Sequence, residues 1–426
     1  MVPKEWINVS LGDVITYKKG FAFDSSNFQS HGVQIIRISD TTSNSISLKN
    51  PIYVSKEVAA KLTAFIVHEG DIVLSTVGSR PHLVDSMVGK AVRIPKETEG
   101  SLLNQNLVKL IPKKSVIIND YLYLMVKKSR FIYFISTLIR GNANQVSITL
   151  KELFKYKFPL PPLIEQKKIT QILSTWDKAI TTTEKLLVNS EQQKKALIQQ
   201  LLTGKKRFSR LSTSFNYTKT RYGTIPADWE HPAIRDICSQ ISEKNSTKAN
   251  YPVLSCSKYD GFVDSLKYFK KKVYSDDTSA YRLIPRGCFG FPSNHIEEGS
   301  IGLQNSHDFG IVSPIYVVFR ANPKRVNNQY LFALLKTEHY RQIFSAATNA
   351  SVDRRGSLRW NEFSSIHIPL PTLEEQNEIA STLSLVDQEI EILKQTLDHL
   401  KEEKKALMQQ LLTGKKRVKV AEINNA

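Results

Sequence analysis

Two stretches of the chain combine arginine, amide side chains and glycine: Arg140-Gly141-Asn142-Ala143-Asn144-Gln145 and Asn349-Ala350-Ser351-Val352-Asp353-Arg354-Arg355-Gly356. An arginine fork donates two parallel hydrogen bonds to guanine, and an asparagine or glutamine amide pairs in the same two-point way with adenine, both in the major groove. Glycine lets such loops approach another backbone closely. Arg140, Asn142, Asn144, Gln145, Arg354 and Arg355 are therefore expected to reach base edges, with Arg359 just downstream. A second tier comprises Arg80 and His82, Asn104 and Gln105, Arg286, and Asn294 with His295. Lys18 and Lys19, like Lys270-Lys271-Lys272, suit phosphate contacts, which position a protein without specifying sequence. Ordinary solvated loop polarity is the competing reading for any one of these residues.

Catalytic constellations are not found. Gly204-Lys205 and Gly414-Lys415 run on into lysine and make no phosphate-binding loop; there is no His-Glu-x-x-His and no Gly-x-Ser-x-Gly. Neither a glycine-rich strand-to-helix turn nor an Asp-Pro-Pro-Tyr-like tetrapeptide of an amino-methyltransferase is present. Cys238, Cys256 and Cys288 lack metal or disulfide spacing and suit small core positions, so no metal and no catalytic residue is expected. The formal charge of +19 favours a polyanionic partner. By segment it is +9 over residues 1–162, +6 over 163–210, +6 over 211–372 and −2 over 373–417, so most of the surplus lies outside the helical segments described next. No apolar run approaches the roughly 20 residues of a membrane span, and Met1 to Trp6 has no signal-like stretch, which makes a cytoplasmic protein the expectation.

The chain is written twice. Lys194 to Arg207 returns 210 positions later as Lys404 to Arg417, with Met408 in place of Ile198 as the one change. At the same offset Pro159-Leu160-Pro161 matches Pro369-Leu370-Pro371, and Leu163-x-Glu165-Gln166-x-x-Ile169 matches Leu373-x-Glu375-Gln376-x-x-Ile379. Pro3-x-x-Trp6 resembles Pro226-x-x-Trp229, with Asp13 and Asp236 seven residues beyond each tryptophan. Between these motifs lie dissimilar stretches. Two diverged modules thus alternate with two similar segments.

The similar segments read as helices of about 37 residues, roughly 55 Å at 1.5 Å per residue. Their apolar seams follow three-four spacing: Leu173, Trp176, Ile180, Thr183, Leu187, Ser190, Lys194, Leu197 and Leu201, then Leu383, Val386, Ile390, Leu393, Leu397, Leu400, Lys404, Leu407 and Leu411. Neither seam can be buried on an isolated helix, so an antiparallel pair within the chain is expected, with a parallel dimer between chains as the alternative. The modules have short β-rich runs, such as 34–38, 71–75 and 315–319, followed by helical patterns at 120–139 and 328–344. The expected class is α+β, as a pseudo-two-fold repeat: mixed α/β modules at 1–158 and 211–368, long helical segments at 159–210 and 369–417, and a tail at 418–426.

Over essentially its whole length this pattern resembles the specificity subunits of Type I restriction-modification systems. The resemblance rests on Pro-Leu-Pro-x-Leu-x-Glu-Gln-x-x-Ile and Gln-Gln-Leu-Leu-Thr-Gly-Lys-Lys-Arg, each occurring twice around dissimilar modules. It implies that each module is a target-recognition domain on double-stranded DNA and each helix a spacer and docking surface. Two methyltransferase subunits and restriction-translocase subunits would be the partners. S-adenosylmethionine, ATP and Mg²⁺ would belong to those partners, which would methylate adenine in an asymmetric bipartite target. A coiled-coil adaptor for protein partners and a self-sufficient DNA-modifying enzyme are the alternatives.

Overall fold

In a computed structural model the described residues are 3–42, 44–79, 88–139, 146–214, 216–246, 250–258, 261–349 and 356–419. They form two compact units built from non-contiguous stretches: residues 1–183 with 396–426, and residues 184–395. Each unit therefore holds one module together with half of each long helix.

The modules share one frame. In the first, a four-stranded antiparallel sheet has the order Ile15–Lys19, Leu107–Pro112, Ile72–Ser75, Ala91–Arg93. In the second the order is Cys238–Ile241, Tyr316–Ala321, Cys288–Pro292, Gly302–Gln304. Ile72–Ser75 is buried along its whole length because both sheet faces are covered. Ile72 and Leu74 pack with Tyr121, Leu122 and Phe131 of the following helices, while Val73 packs with Ile36, Val67 and Val92. This explains a continuous apolar run where a half-exposed strand would alternate.

The helical patterns after the sheets each resolve into two helices, not one: Asn119–Val126 and Ser129–Leu138, then Asn328–Leu335 and Glu338–Asn349. The break has no glycine or proline. It is made where Lys128 adopts an extended conformation and where Thr337 Oγ1 accepts a hydrogen bond from the Tyr340 amide at 3.3 Å.

The long helices span Leu163–Leu201 and Leu373–Leu411, 39 residues each. Each ends on a left-handed glycine, Gly204 at φ 69° and Gly414 at φ 72°. A Cβ on Gly204 would lie 2.3 Å from Pro226, and one on Gly414 2.6 Å from Pro3, so the repeated glycine also admits the repeated proline. Every seam residue named above is buried or half-buried. In the first unit Ile169 and Leu173 share a core with Leu411 and Leu412, and Asp177 pairs with Lys404. In the second, Ile379 and Leu383 share a core with Leu201 and Leu202, and Asp387 pairs with Lys194. Early residues of one helix meet late residues of the other in both units, so the packing is antiparallel. Leu173→Ala is expected to cost about 3 kcal/mol, whereas Leu385→Ala, at a 63% exposed position, should stay within about 0.5 kcal/mol; urea unfolding of both variants compares them.

The remaining repeated residues close on one another inside each unit. Glu165, at a helix start, accepts from Trp6 Nε1 at 3.2 Å and pairs with Arg417 from the other helix's end, which also pairs with Glu5. Glu375 accepts from Trp229 Nε1 at 3.1 Å and is bound by Arg207 through Nε at 2.6 Å and Nη2 at 2.8 Å, while Arg207 also grips Asp228. Gln166 Oε1 accepts from the Ile118 amide at 3.0 Å and Gln376 Oε1 from the Asn327 amide at 2.9 Å, which fixes each helix start to its module.

Candidate nucleic-acid interface

Strand register decides which expected base and phosphate contacts come together. In the first module Lys19 pairs with Val108, and Leu107 pairs with Ser75, so the end of one strand, the start of the next and the end of the third lie side by side. Asn104, Gln105 and Asn106 form the turn into the middle strand. It is pinned to residues 20–21: the Gly20 amide donates to Leu107 O at 3.0 Å, Phe21 to Leu103 O at 2.8 Å, and Gln105 to Phe21 O at 2.8 Å. Lys18 lies over the Phe65 ring, 4.7 Å from its centre, while Lys19 and Gln105 are exposed. Lys18, Lys19, Asn104 and Gln105 thus share one sheet end, although some 85 residues separate them in the chain.

Arg80 and His82, together with Arg140, Asn142, Asn144 and Gln145, lie outside the described residues. Their described neighbours converge on the same sheet end. Gly78 and Val146 are direct partners in a short antiparallel ladder, and the Ile148 amide donates to Thr76 O at 3.0 Å.

The second module repeats this closure with different side chains. The Leu358 amide donates to Ser293 O at 2.8 Å, as Ile148 does to Thr76. That bond brings Arg359, which precedes the helix Trp360–Ser364, next to Asn294 and His295 at the end of strand Cys288–Pro292. His295 is exposed and lies 3.4 Å from Glu298; Asn294 Oδ1 is buried and has no hydrogen-bond partner among the described residues. Arg354 and Arg355 lie outside the described residues. Arg286 does not join this group. It precedes the same strand and so sits at the opposite sheet end, with Nε 3.0 Å from Asp308 and a further bond to Asn305 O. That opposite end is the one nearer the long helix: Asn328 Nδ2 donates to Gly287 O at 3.1 Å, and the adjacent Asn327 amide is held by Gln376.

The repeated Trp, Glu, Gln and Arg residues carry no role that is evident from spacing alone. Their identical spacing in both copies was the available signal, and the structure makes them the joints between helix and module. The thiols are poor nucleophiles: burial pushes Cys238 and Cys256 up to about 12. Burial also pushes the Lys127 ammonium down to about 8, helped by Lys90 and Lys404, and Lys128 likewise to about 8. An unfolded lysine keeps its proton to about 10.4. Above about 8 the unfolded chain binds more lysine protons, so the first unit should gain stability as pH rises from about 8 to 9.5 and show no such slope below 8; near 10 the gain is opposed by Tyr121, Tyr123 and Tyr156, whose hydroxyls burial pushes up, so that the folded state keeps protons an unfolded tyrosine loses. Denaturant unfolding across pH 7–10.5 checks this, and Lys127→Met with Lys128→Met should flatten the rise.

A family model for the Type I restriction modification DNA specificity domain matches residues 3–192 and 226–402. A putative type I restriction enzyme MjaX specificity subunit of Methanocaldococcus jannaschii is 27% identical over 436 residues, covering 98% of this chain and 95% of that protein. The MjaVIII specificity subunit of the same organism is also 27% identical, covering 98% and 94%. Among solved structures, the HsdS subunit of Thermoanaerobacter tengcongensis aligns with a TM-score of 0.51 at 16% identity over 97% of this chain and 98% of that one. The S subunit of a Type I restriction-modification system from M. genitalium aligns with a TM-score of 0.55 at 14% identity over 96% of each chain.

Proposed function

Because the chain belongs to the Type I restriction-modification DNA specificity family, we propose that each of its modules reads one half of a bipartite, asymmetric duplex target and that the chain itself catalyses nothing. One observation carries the asymmetry: the modules close the same sheet end with the same backbone bond, yet present Lys19, Asn104 and Gln105 in one case and Asn294, His295 and Arg359 in the other. A shared frame with different donors and acceptors suits two different half-sites. Arg80, His82, Arg140, Asn142, Asn144, Gln145, Arg354 and Arg355 belong to the same proposal, since the residues flanking them adjoin these sheet ends.

The similar helical segments, antiparallel in each unit and matching at all but one position from Lys194 to Arg207 and from Lys404 to Arg417, offer equivalent seats for two copies of one methyltransferase subunit, with restriction-translocase subunits joining a larger assembly. S-adenosylmethionine, ATP and Mg²⁺ reside on those partners, and the methyl acceptor is an adenine flipped out of the duplex. Among the described residues no helix is long and apolar enough to cross a membrane, and a cytoplasmic site of action fits a DNA substrate. The test is methylome sequencing of a host that expresses the neighbouring genes with and without this chain. One asymmetric bipartite methylated motif should appear only when the chain is present. A stable complex with no new motif would point to an adaptor, and methyl transfer by the chain alone would overturn the non-catalytic assignment.

A further inference from the structure

In the second module the strand Gly261–Asp264 runs into a short helix, Ser265–Phe269, of which only Ser265 is buried. Tyr268 and Phe269 are 48% and 43% exposed and meet edge to face with ring centres 5.0 Å apart. Leu266 and Val273 are exposed beside them. A cluster of large apolar side chains on the surface of a soluble module marks a contact surface.

Its charge says with what. Residues 265–274 contain four lysines and no acid. Lys267 is paired with Asp264 and Lys272 with Asp276. Lys270 and Lys271 are exposed and have no ion pair among the described residues. Lys270 is also the one non-glycine residue among those described with positive φ, 53°. It ends the short helix in the left-handed conformation that glycine adopts at least cost. A lysine thus stands where the backbone conformation favours glycine.

The first module is a contrasting case. After its corresponding strand, Ile52–Val54, the helix Lys56–Ala60 is capped by Ser55 and turns Val58 and Ala59 into a core with Ile35 and Leu102. The outward aromatic pair is therefore particular to the second module. Alongside it runs an open groove of about 830 Å³ lined by Asn250, Tyr251, Lys267, Tyr274 and His307, together with the carboxylates Asp264 and Asp276, which Lys267 and Lys272 neutralise.

We infer that residues 266–272 of the second module are an additional duplex-DNA contact, in which Lys270 and Lys271 take phosphates and Tyr268 and Phe269 pack against sugar and base surface. The inference rests on the DNA-reading function proposed above. Lysines that neutralise phosphates set the salt dependence of binding, whereas aromatic packing changes affinity at fixed salt. The full-length chain should be titrated by anisotropy with duplex DNA between 50 and 200 mM salt. Lys270→Ala with Lys271→Ala should reduce the slope of log K against log salt by roughly 2, at about 0.9 per phosphate. Tyr268→Ala with Phe269→Ala should weaken binding about tenfold or more with the slope unchanged. These side chains are exposed, so unaltered thermal unfolding will show that both variants are folded. Wild-type affinity and slope in both variants overturns the inference and leaves the function standing; so does loss of a protein partner with DNA binding intact. If the wild-type chain binds no duplex at any salt, the functional reading itself fails.

Discussion

Glu375→Ala is expected to destabilise the second unit by about 3–5 kcal/mol, the cost of removing one partner from a buried charged network. Glu375 is 1% exposed and the Arg207 side chain 9%. Burial alone would disfavour the Arg207 charge, but its hydrogen bonds to Glu375 and Asp228 outweigh that and hold the guanidinium above its ordinary value. In turn the Arg207 hydrogen bond holds the Asp228 carboxyl well below the usual carboxylate range. Without Glu375 the guanidinium stays largely out of water with one carboxylate instead of two, and Trp229 Nε1 loses its acceptor. The pseudo-symmetric Glu165→Ala should cost less, about 1–2 kcal/mol, because Arg417 is 40% exposed and can recover its hydration. Denaturant titration read by hydrogen exchange assigns each loss to its unit. Equal losses in the two variants would show that burial of the arginine is not what sets the cost. Acid should act on the same network. Asp228 contributes stability that is present above about pH 4 and is lost as pH falls toward its lowered folded value, so the second unit should weaken in acid, less so in Asp228→Asn.

Much of the frame is legible in the sequence, for a physical reason. A seam with three-four spacing must be covered, and two such seams in one chain cover each other, so the positions from Leu173 to Leu201 and from Leu383 to Leu411 can be read from local periodicity. The glycine stops after Leu202 and Leu412 can be read in the same way. The two-helix break at Lys127-Lys128 cannot, because an apolar periodicity runs through it and no breaker residue marks it. The candidate site is still less legible, since it is assembled by strand register. Lys19 and Gln105 meet only because Lys19 pairs with Val108. Arg286 and Asn294 lie eight residues apart in sequence but on opposite sheet ends, because the five-residue strand between them spans about 17 Å at 3.4 Å per residue. The roles of Glu165, Gln166 and their counterparts were hidden for a related reason: a carboxylate or amide on a helix reads as solvent-facing until its partners from distant segments are in place.

Gly20→Ala should be the most damaging small substitution at the candidate interface. Gly20 has no positive φ to excuse it; what requires glycine is the approach of a second backbone. An added Cβ would lie 2.0 Å from Asn104 O, 2.3 Å from Asn104 C and 2.5 Å from Leu103 O. The atoms met are backbone, so no side chain can rotate aside, and the two segments are tied by hydrogen bonds that the Gly20, Phe21 and Gln105 amides donate. The strand end must therefore separate from the turn, at a cost of about 2–4 kcal/mol in the range of core overpacking or somewhat above it. Separation displaces Lys18 and Lys19 from Asn104 and Gln105, so DNA recognition should suffer on one half-site only. Gly70→Ala is the matched control: its φ of 80° makes alanine strained, but among the described residues nothing lies within 4 Å of the added Cβ, and it precedes the strand at the opposite sheet end. Gel shifts on duplexes altered in one half-site at a time give the readout. Gly20→Ala should lose discrimination at the half-site read by the first module and keep it at the other, while Gly70→Ala, though less stable, keeps both. If Gly20→Ala destabilises the unit yet discriminates as the wild type does, the base-reading surface lies elsewhere on the module, and Lys18, Lys19, Asn104 and Gln105 are structural polarity.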